Sequence, residues 1–200
     1  MRVAAVVLAA GKSSRMGRNK LLLEVGGRTI LDRILDAIEA SVVDEVVVVL
    51  GHEPEDVRPI ADARGVSTVL NPKHERGMTS SFQAGLRGVT ADAAFLVLGD
   101  QLGLDSALLD TMAELMESDT DAMIVSPVHN GRRGHPVLFT EHLFQEILEL
   151  GDDETVREVV LRHERDHKSV EGGMWCTLDF DTSEDFERAV RLFEANRASP

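Results

Sequence analysis

Cysteine is nearly absent. The single Cys176 excludes an internal disulfide and cannot by itself build a cysteine-rich metal site, which leaves it as filler on a half-buried strand. Long apolar runs are missing as well. The N-terminal MRVAAVVLAAGKSS reaches Gly11 and Lys12 after only a few apolar residues, far short of a membrane span and without the organisation of a signal peptide. A cytoplasmic protein with no membrane partner is expected. Positive charge is scarce, 21 Lys and Arg against 35 Asp and Glu, a formal net charge of −14. That balance argues against nucleic acid, which needs an extended basic face. No Pro/Gly/Ser-rich segment, single-sign charge run, internal repeat or low-complexity stretch divides the chain. With 43% hydrophobic residues it can bury one substantial core, so residues 1–200 are expected to form a single domain.

The apolar, β-branched segments Val3–Leu8, Glu45–Leu50, Ser67–Leu70, Ala93–Leu98 and Ala122–Pro127 predict strands buried on both faces. Helical patterns alternate with them. Thr29 and Asp32 cap a segment with Ile30, Leu31, Ile34, Leu35 and Ile38 at helical spacing, and Pro54–Arg64, Ser80–Leu86 and Ser106–Met116 continue the series. This order predicts an α/β fold of three α/β/α layers, with a mostly parallel, doubly wound, Rossmann-like sheet that binds ligands at the carboxyl ends of its strands. The loops after Leu8 and Leu98 are therefore the places for chemistry. Farther on, the turn residues His129 to Arg132 between Met123–Val128 and Pro136–Phe139 predict a β-ribbon added to the sheet. Glu141–Leu150 and Thr155–Arg162 are expected to be helical, Trp175–Phe180 a strand, and Ser183–Asn196 a closing helix with Phe186, Val190 and Phe193 on one face.

The loop after the first strand, LAAGKSSRMGRNK, combines small residues with cations. Residues 11–23 carry Lys12, Arg15, Arg18 and Lys20 and no acid, a local anion site in an acidic chain. Glycines let backbone N–H groups approach a phosphate while the cations neutralise it, so a triphosphate is the natural guest. Gly11-Lys12-Ser13 copies the end of a P-loop, but that motif needs glycine where this chain has Val6. A dinucleotide fingerprint fails too, because the loop has glycines only at 11 and 17.

Asp100 ends the Phe95–Gly99 run at the edge where such a sheet binds ligands. Magnesium prefers a few carboxylate oxygens plus phosphate oxygens and water, so Asp100 with Asp179 or Asp181 could hold it against an α-phosphate; Asp181, whose alternative role is to cap the last helix, is preferred. Phosphoryl-type transfer needs positioning and charge neutralisation rather than a protein nucleophile, and no Ser-His-Asp or Cys-His arrangement is evident. Arg15, Lys20 and Asp100 are the expected catalytic groups. Gly77 to Ser81 opens a helix whose free N–H groups can meet a base or ribose, assisted by Asn71, though Met78 packing in the core and Ser81 capping are equally good readings. His163 and His167 have the i, i+4 spacing of a zinc pair, but no third ligand is evident. His135 sits beside Arg132 and Arg133, where an anionic acceptor could dock.

The loop LAAGKSSRMGRNK resembles the signature loop of the MobA-like nucleotidyltransferases, and Ala10 is more like their cytidylyltransferase branch than the guanylyltransferase branch, where that position is usually glycine. Asn71-Pro72 with Gly77-Met78-Thr79-Ser80-Ser81 and Gly85-Leu86, then Gly99-Asp100-Gln101, Gly134-His135-Pro136-Val137, Gly151-Asp152 with Arg157, and Asp179 to Asp185 are similar to further elements of the molybdenum cofactor cytidylyltransferases. Leu102, Glu154-Thr155 and Ser183 depart from that pattern and bear on the acceptor more than on the chemistry. The resemblance implies a fold like that of the nucleotide-diphospho-sugar transferases and transfer of CMP from CTP to a phosphorylated acceptor, molybdopterin or its metal-bearing form. It implies nucleotide binding by Leu8, Ala9, Ala10, Gly11, Lys12, Ser13, Arg15, Lys20, Asn71, Gly77, Met78, Ser81 and Asp100. Acceptor binding falls to Gln101, Gly134, His135 and Arg157, and Mg2+ binding to Asp100 and Asp181. A molybdoenzyme or its chaperone is a further implied partner. Transfer from GTP or to another phosphorylated acceptor, a non-catalytic nucleotide-binding regulator, and an oxidoreductase are the alternatives.

Overall fold

The structure, a computed structural model, describes residues 1–12, 19–180 and 182–198. Among these, the chain forms strands β1 (Val3–Ala9), β2 (Glu24–Val25), β3 (Arg28–Thr29), β4 (Glu45–Leu50), β5 (Ser67–Leu70), β6 (Ala93–Leu98), β7 (Ile124–His129), β8 (Arg132–Arg133), β9 (Val137–Thr140) and β10 (His167–Glu171). The helices are α1 (Ile30–Glu39), α2 (Pro54–Ala63), α3 (Met78–Leu86), α4 (Ser106–Ser118), α5 (Phe144–Leu148), α6 (Val156–Arg162) and α7 (Ser183–Ala198). The main sheet runs β10-β7-β9-β6-β1-β4-β5, with β8 hydrogen-bonded to β7, while β2 and β3 make a separate small hairpin. Strands β6, β1, β4 and β5 are mutually parallel, and β9 enters antiparallel between β6 and β7.

Alternation along the central strands sorts the core into two halves. Val3, Ala5, Val7 and Ala9 of β1, with Phe95 and Val97 of β6, face α1, α2, α4 and α7. Ala4, Val6, Ala94 and Leu96 face the other way, toward α3, α5 and α6. Both faces are covered, which is why these strands are continuously apolar rather than alternating. Helix α1 begins as its sequence predicts, with the Thr29 hydroxyl accepting from the Asp32 amide at 3.1 Å. Phe186, Val190 and Phe193 of α7 pack on the first half of the core.

Several expectations are corrected. Ser67–Leu70 is a strand but lies at the sheet edge with both of its end residues exposed, so it is not buried on both faces. The Asn130-Gly131 turn, both residues at positive φ, joins β7 to a two-residue β8, and the rest of the ribbon, β9, is inserted into the sheet rather than appended to it. Trp175–Phe180 is not a strand: Met174–Cys176 is a 3-10 turn, followed by irregular chain, and Cys176 is buried there. The last strand is instead His167–Glu171, whose polar letters hide an edge strand paired with β7. His163-Glu164-Arg165-Asp166-His167 has the letters of an H-E-x-x-H zinc pattern, which requires one helix face. Helix α6 ends at Arg162, so His163 turns to Glu146 at 2.7 Å while His167 opens β10 and meets the Ser126 hydroxyl at 2.8 Å. No cluster of three or more metal-ligating side chains occurs among the described residues, and no described helix is long and apolar enough to cross a membrane.

Gly85 shows how closely α3 is set on the sheet. A Cβ there would stand 2.4 Å from a Val6 methyl and 2.8 Å from a Val49 methyl. Gly85→Ala gains about 1 kcal/mol of helix propensity but forces α3 off β1 and β4, which costs about 1–3 kcal/mol, so a net loss in urea unfolding is expected. A variant more stable than wild type would show that α3 can shift freely.

Burial pushes the His167 imidazole down to about 4, with Arg133 adding to the effect and Glu164 opposing it. The folded state therefore holds it neutral, whereas the unfolded chain binds a proton near pH 6.5, so stability is lost as pH falls from 6.5 toward 4. The loss is on the order of 3 kcal/mol. In His167→Gln, the pH dependence of unfolding should be flatter than in wild type across this window; equal slopes would assign acid lability to other groups.

Candidate active site

The carboxyl ends of β1 and β6 lie side by side, Leu8 opposite Leu98, and the chain must turn away from the sheet at both. Gly99 makes this possible: its amide donates to the Leu8 carbonyl at 3.0 Å, and a Cβ would stand 2.5 Å from that oxygen. Asp100 is thereby presented at the strand end, with its side chain 42% exposed.

Lys20 meets it from the loop after β1. Asn19 caps a short 3-10 turn, Lys20–Leu22, by accepting from the Leu21 amide at 3.1 Å, and this turns the Lys20 side chain inward. Its ammonium donates to the Phe180 carbonyl at 2.5 Å, lies 3.8 Å from Asp100 Oδ2 and sits 5.4 Å over the Phe180 ring. A cation, a carboxylate and the chain before α7 are joined at one point.

Two cavities share this point. One, of about 220 Å³, is walled by Leu8, Ala10 and Gly11 from the β1 end and by His74, Gly77, Met78 and Ser81 from the approach to α3. The other, of about 200 Å³, is walled by Gln101, His135, Trp175, Leu178, Asp179 and Phe180. Lys20, Leu98 and Asp100 line both.

In the first cavity, Gly77 adopts φ +91°, a left-handed conformation that favours glycine, and α3 starts directly after it. Met78 is 46% exposed here and is not core packing. The Ala10 methyl is backed by Gly51, where a Cβ would stand 2.6 Å from the Ala10 Cβ and 2.7 Å from the His74 Cβ. Gly51 and His74 were not anticipated; the only sequence signal was a glycine directly after strand β4 and a histidine just before Gly77.

The second cavity has two unsatisfied polar atoms. Gln101, 5% exposed, donates to the His135 carbonyl at 2.6 Å, but its Oε1 is buried with no partner among the described residues. His135 Nδ1 is likewise buried without one. Burial lowers the His135 pKa, against an opposing pull from Asp179. An orphaned buried acceptor costs stability, and in a cavity wall that cost is recovered when a ligand supplies a donor.

Other expected site residues stand elsewhere. Asn71 lies behind the first cavity, with its amide donating to the Ser80 and Ser81 hydroxyls at 3.1 Å each, and ties β5 to α3. Ala9 is in the core. Lys12 is turned outward to Glu75, 2.5 Å away, and holds that carboxyl below its usual range. Gly134 is a packing residue whose Cβ would fall 2.0 Å from the Cys176 carbonyl. Arg157 is exposed on α6 and lines neither cavity, nor do Arg132 and Arg133, and Arg133 instead pairs with Glu164 at 2.8 Å. Ser13, Arg15 and Asp181 lie outside the described residues.

Among the described residues, Asp100 and Asp179 are two carboxylates in the wall of one small cavity that could hold a divalent metal. This fits magnesium, which takes one or two protein carboxylates and completes its shell with phosphate oxygens and water, and it does not resemble a closed all-protein site.

Comparison with known proteins agrees with this geometry. Residues 5–167 match the model of the MobA-like NTP transferase domain. The chain is 28% identical to the molybdenum cofactor cytidylyltransferase of Escherichia coli strain K12 over 94% of its own length and 95% of that protein's. It is 32% identical to the nicotine blue oxidoreductase of Paenarthrobacter nicotinovorans over 68% of its own length and 70% of that protein's. Among solved structures, Rv0371c from Mycobacterium tuberculosis H37Rv superposes with a TM-score of 0.83 at 29% identity, covering 96% of this chain and 98% of that one. Its complex with manganese gives 0.79 at 26% identity, covering 96% and 99%. A strand-end carboxylate and a buried lysine between two small cavities, on a fold matched over nearly the whole chain, lead to one assignment: this chain belongs to the MobA-like NTP transferase family of nucleotidyltransferases.

Proposed function

We propose that the chain transfers CMP from CTP to a phosphorylated small molecule of the molybdopterin type and releases pyrophosphate, with magnesium as cofactor. The observation that carries this reading is the wall of Lys20, Leu98 and Asp100 common to two cavities, because transfer between two bound molecules needs one group of residues that faces both.

The first cavity takes the nucleotide. Backbone amides at Gly11 and at the start of α3 supply donors, and the loop cations Lys20 and Arg15 offset the triphosphate charge. The second takes the acceptor phosphate, held near Gln101 and His135. Lys20, fixed by Phe180 and Asp100, stabilises the charge that develops at the α-phosphate as the acceptor phosphate oxygen attacks and pyrophosphate leaves in line. Asp100, with a carboxylate of the Asp179–Asp181 segment, would hold magnesium, whose chemistry when bound is Lewis-acid neutralisation of phosphate oxygens. The resemblance to a cytidylyltransferase over nearly its full length supports CTP, and the manganese complex of a structural relative supports a divalent metal.

The reading is tested by pyrophosphate release from CTP and magnesium, preceded by thermal-shift screening of the four NTPs, in which a saturating ligand adds a few kcal/mol of apparent stability. Asp100→Ala should lower turnover by about a hundredfold or more while leaving the melting temperature near that of wild type. Pyrophosphate release at the wild-type rate would remove Asp100 from the chemistry. A nicotinamide-dependent absorbance change in place of pyrophosphate would point to the oxidoreductase alternative.

Base choice is the second test. The Ala10 methyl occupies the wall of the nucleotide cavity and is backed by Gly51, where a Cβ would stand 2.6 Å from the Ala10 Cβ. CTP should be preferred over GTP, and Ala10→Gly should narrow the ratio of kcat/KM values by roughly tenfold, the scale of a methyl-sized discrimination. A wild-type preference for GTP, or a ratio unchanged in the variant, would remove Ala10 as the selector.

A further inference from the structure

The nucleotide cavity is smaller than its guest. Its 220 Å³ lies below the roughly 300–1,000 Å³ that small-molecule sites span, so a nucleoside triphosphate extends past the walls and meets the residues next to them. Two of the wall residues are Gly11, just after β1, and His74, which opens the short 3-10 turn His74–Arg76. Each is followed by a charge. Lys12 Nζ donates to Glu75 Oε1 at 2.5 Å, and this contact joins the two wall segments across 63 residues of sequence, with both side chains open to water.

The pair is not what holds the wall in place. The turn that carries Glu75 is fixed by other contacts: the His74 amide donates to the Asn71 carbonyl at 3.3 Å, the Ser80 hydroxyl donates to the Lys73 carbonyl at 3.0 Å, and Arg76 pairs with Asp152. His74 is seated close to Gly51, and its ring meets that of His52 with centroids 6.1 Å apart, while His52 Nε2 lies 3.6 Å from Glu53. Lys12 holds the Glu75 carboxyl below its usual range, and His74 and His52 add to the effect. A carboxylate set among basic groups at the edge of a polyanion site stands where a competing anion would.

We infer that Glu75 is an internal counterion of the nucleotide site: Lys12 exchanges the Glu75 carboxylate for the triphosphate as the nucleotide enters, and returns to it as pyrophosphate leaves. The inference rests on the proposed transfer reaction, which puts a triphosphate beside Gly11. Both partners are exposed, so the pair is weak enough to exchange, and the flexible lysine stem lets one ammonium serve either anion. Glu75 thus lowers the affinity for ligands that carry the terminal phosphates, pyrophosphate included, and leaves a nucleoside monophosphate unaffected. A site that holds pyrophosphate less tightly releases it sooner, which favours turnover where product release is slow.

The test titrates CTP, CMP and pyrophosphate, each with magnesium, by calorimetry into wild type, Glu75→Gln, Lys12→Met, the double variant and Glu114→Gln. The last removes the same charge from an exposed position on α4 that lines neither cavity. In Glu75→Gln, CTP and pyrophosphate should bind about two- to fivefold tighter than in wild type, the scale of one exposed ion pair, with CMP unchanged. The gain should fade in about 0.5 M salt, where exposed charges are screened. Lys12→Met alone should weaken CTP and pyrophosphate but not CMP, and adding Glu75→Gln to it should recover little. An equal gain in the Lys12→Met background or in Glu114→Gln marks general repulsion instead of exchange. Unchanged or weaker CTP binding in Glu75→Gln, with a lowered melting temperature, marks the pair as a structural tie. Either result ends the inference, while CTP binding and pyrophosphate release by wild type leave the transfer reading standing. If wild type neither binds CTP nor releases pyrophosphate, the transfer reading falls and the inference with it.

Discussion

The site depends on a buried ammonium. Lys20 is only 9% exposed, and a cation removed from water is costly unless donors and charges around it are met. Here the Phe180 carbonyl, the Phe180 ring and Asp100 meet it. The contact spans 160 residues of sequence and draws together the loop after β1, the end of β6 and the chain leading into α7. Lys20 and Asp100 line both cavities, while the chain leading into α7 lines the second.

Close backbone approach is the second requirement. Gly99 lets β6 turn against the Leu8 carbonyl, Gly51 lets the end of β4 lie beside Ala10, and Gly134 brings β9's approach onto the Cys176 carbonyl. None of these glycines needs to touch a ligand. They set the distance between elements that do, which is why a motif such as Gly134-His135-Pro136-Val137 reads as a unit: the glycine seats the chain, and the histidine beside it reaches the cavity.

Two histidines show how context divides identical chemistry. His135 and His167 are both driven toward the neutral form by burial. His167 meets Ser126 between two strands, whereas His135 lines the second cavity, although each has a buried Nδ1 with no hydrogen-bond partner among the described residues. Burial alone marks neither as functional; the neighbouring space does.

The sequence by itself determined the α/β class, a mostly parallel sheet, and the two strand-end segments that meet at Lys20 and Asp100. Apolar runs flanked by amphipathic helices admit few other packings, and small residues with cations after a strand bind phosphate for local reasons. It also singled out Lys20, Asp100, Gly77 and His135, each marked by a motif. Only the tertiary structure decided that Lys20 and Asp100 form the wall between two cavities, that Asp179 rather than Arg132 or Arg133 accompanies His135, and that Asn71 works from behind. It alone turned Trp175–Phe180 from an expected strand into the irregular wall of the second cavity, and found β10 in the polar His167–Glu171. The physical reason is range. Periodicity and turn chemistry are properties of a dozen neighbouring residues, while the pairing of Lys20 with Phe180 is set by how the whole sheet twists and which helices cover it, and no local pattern carries that information.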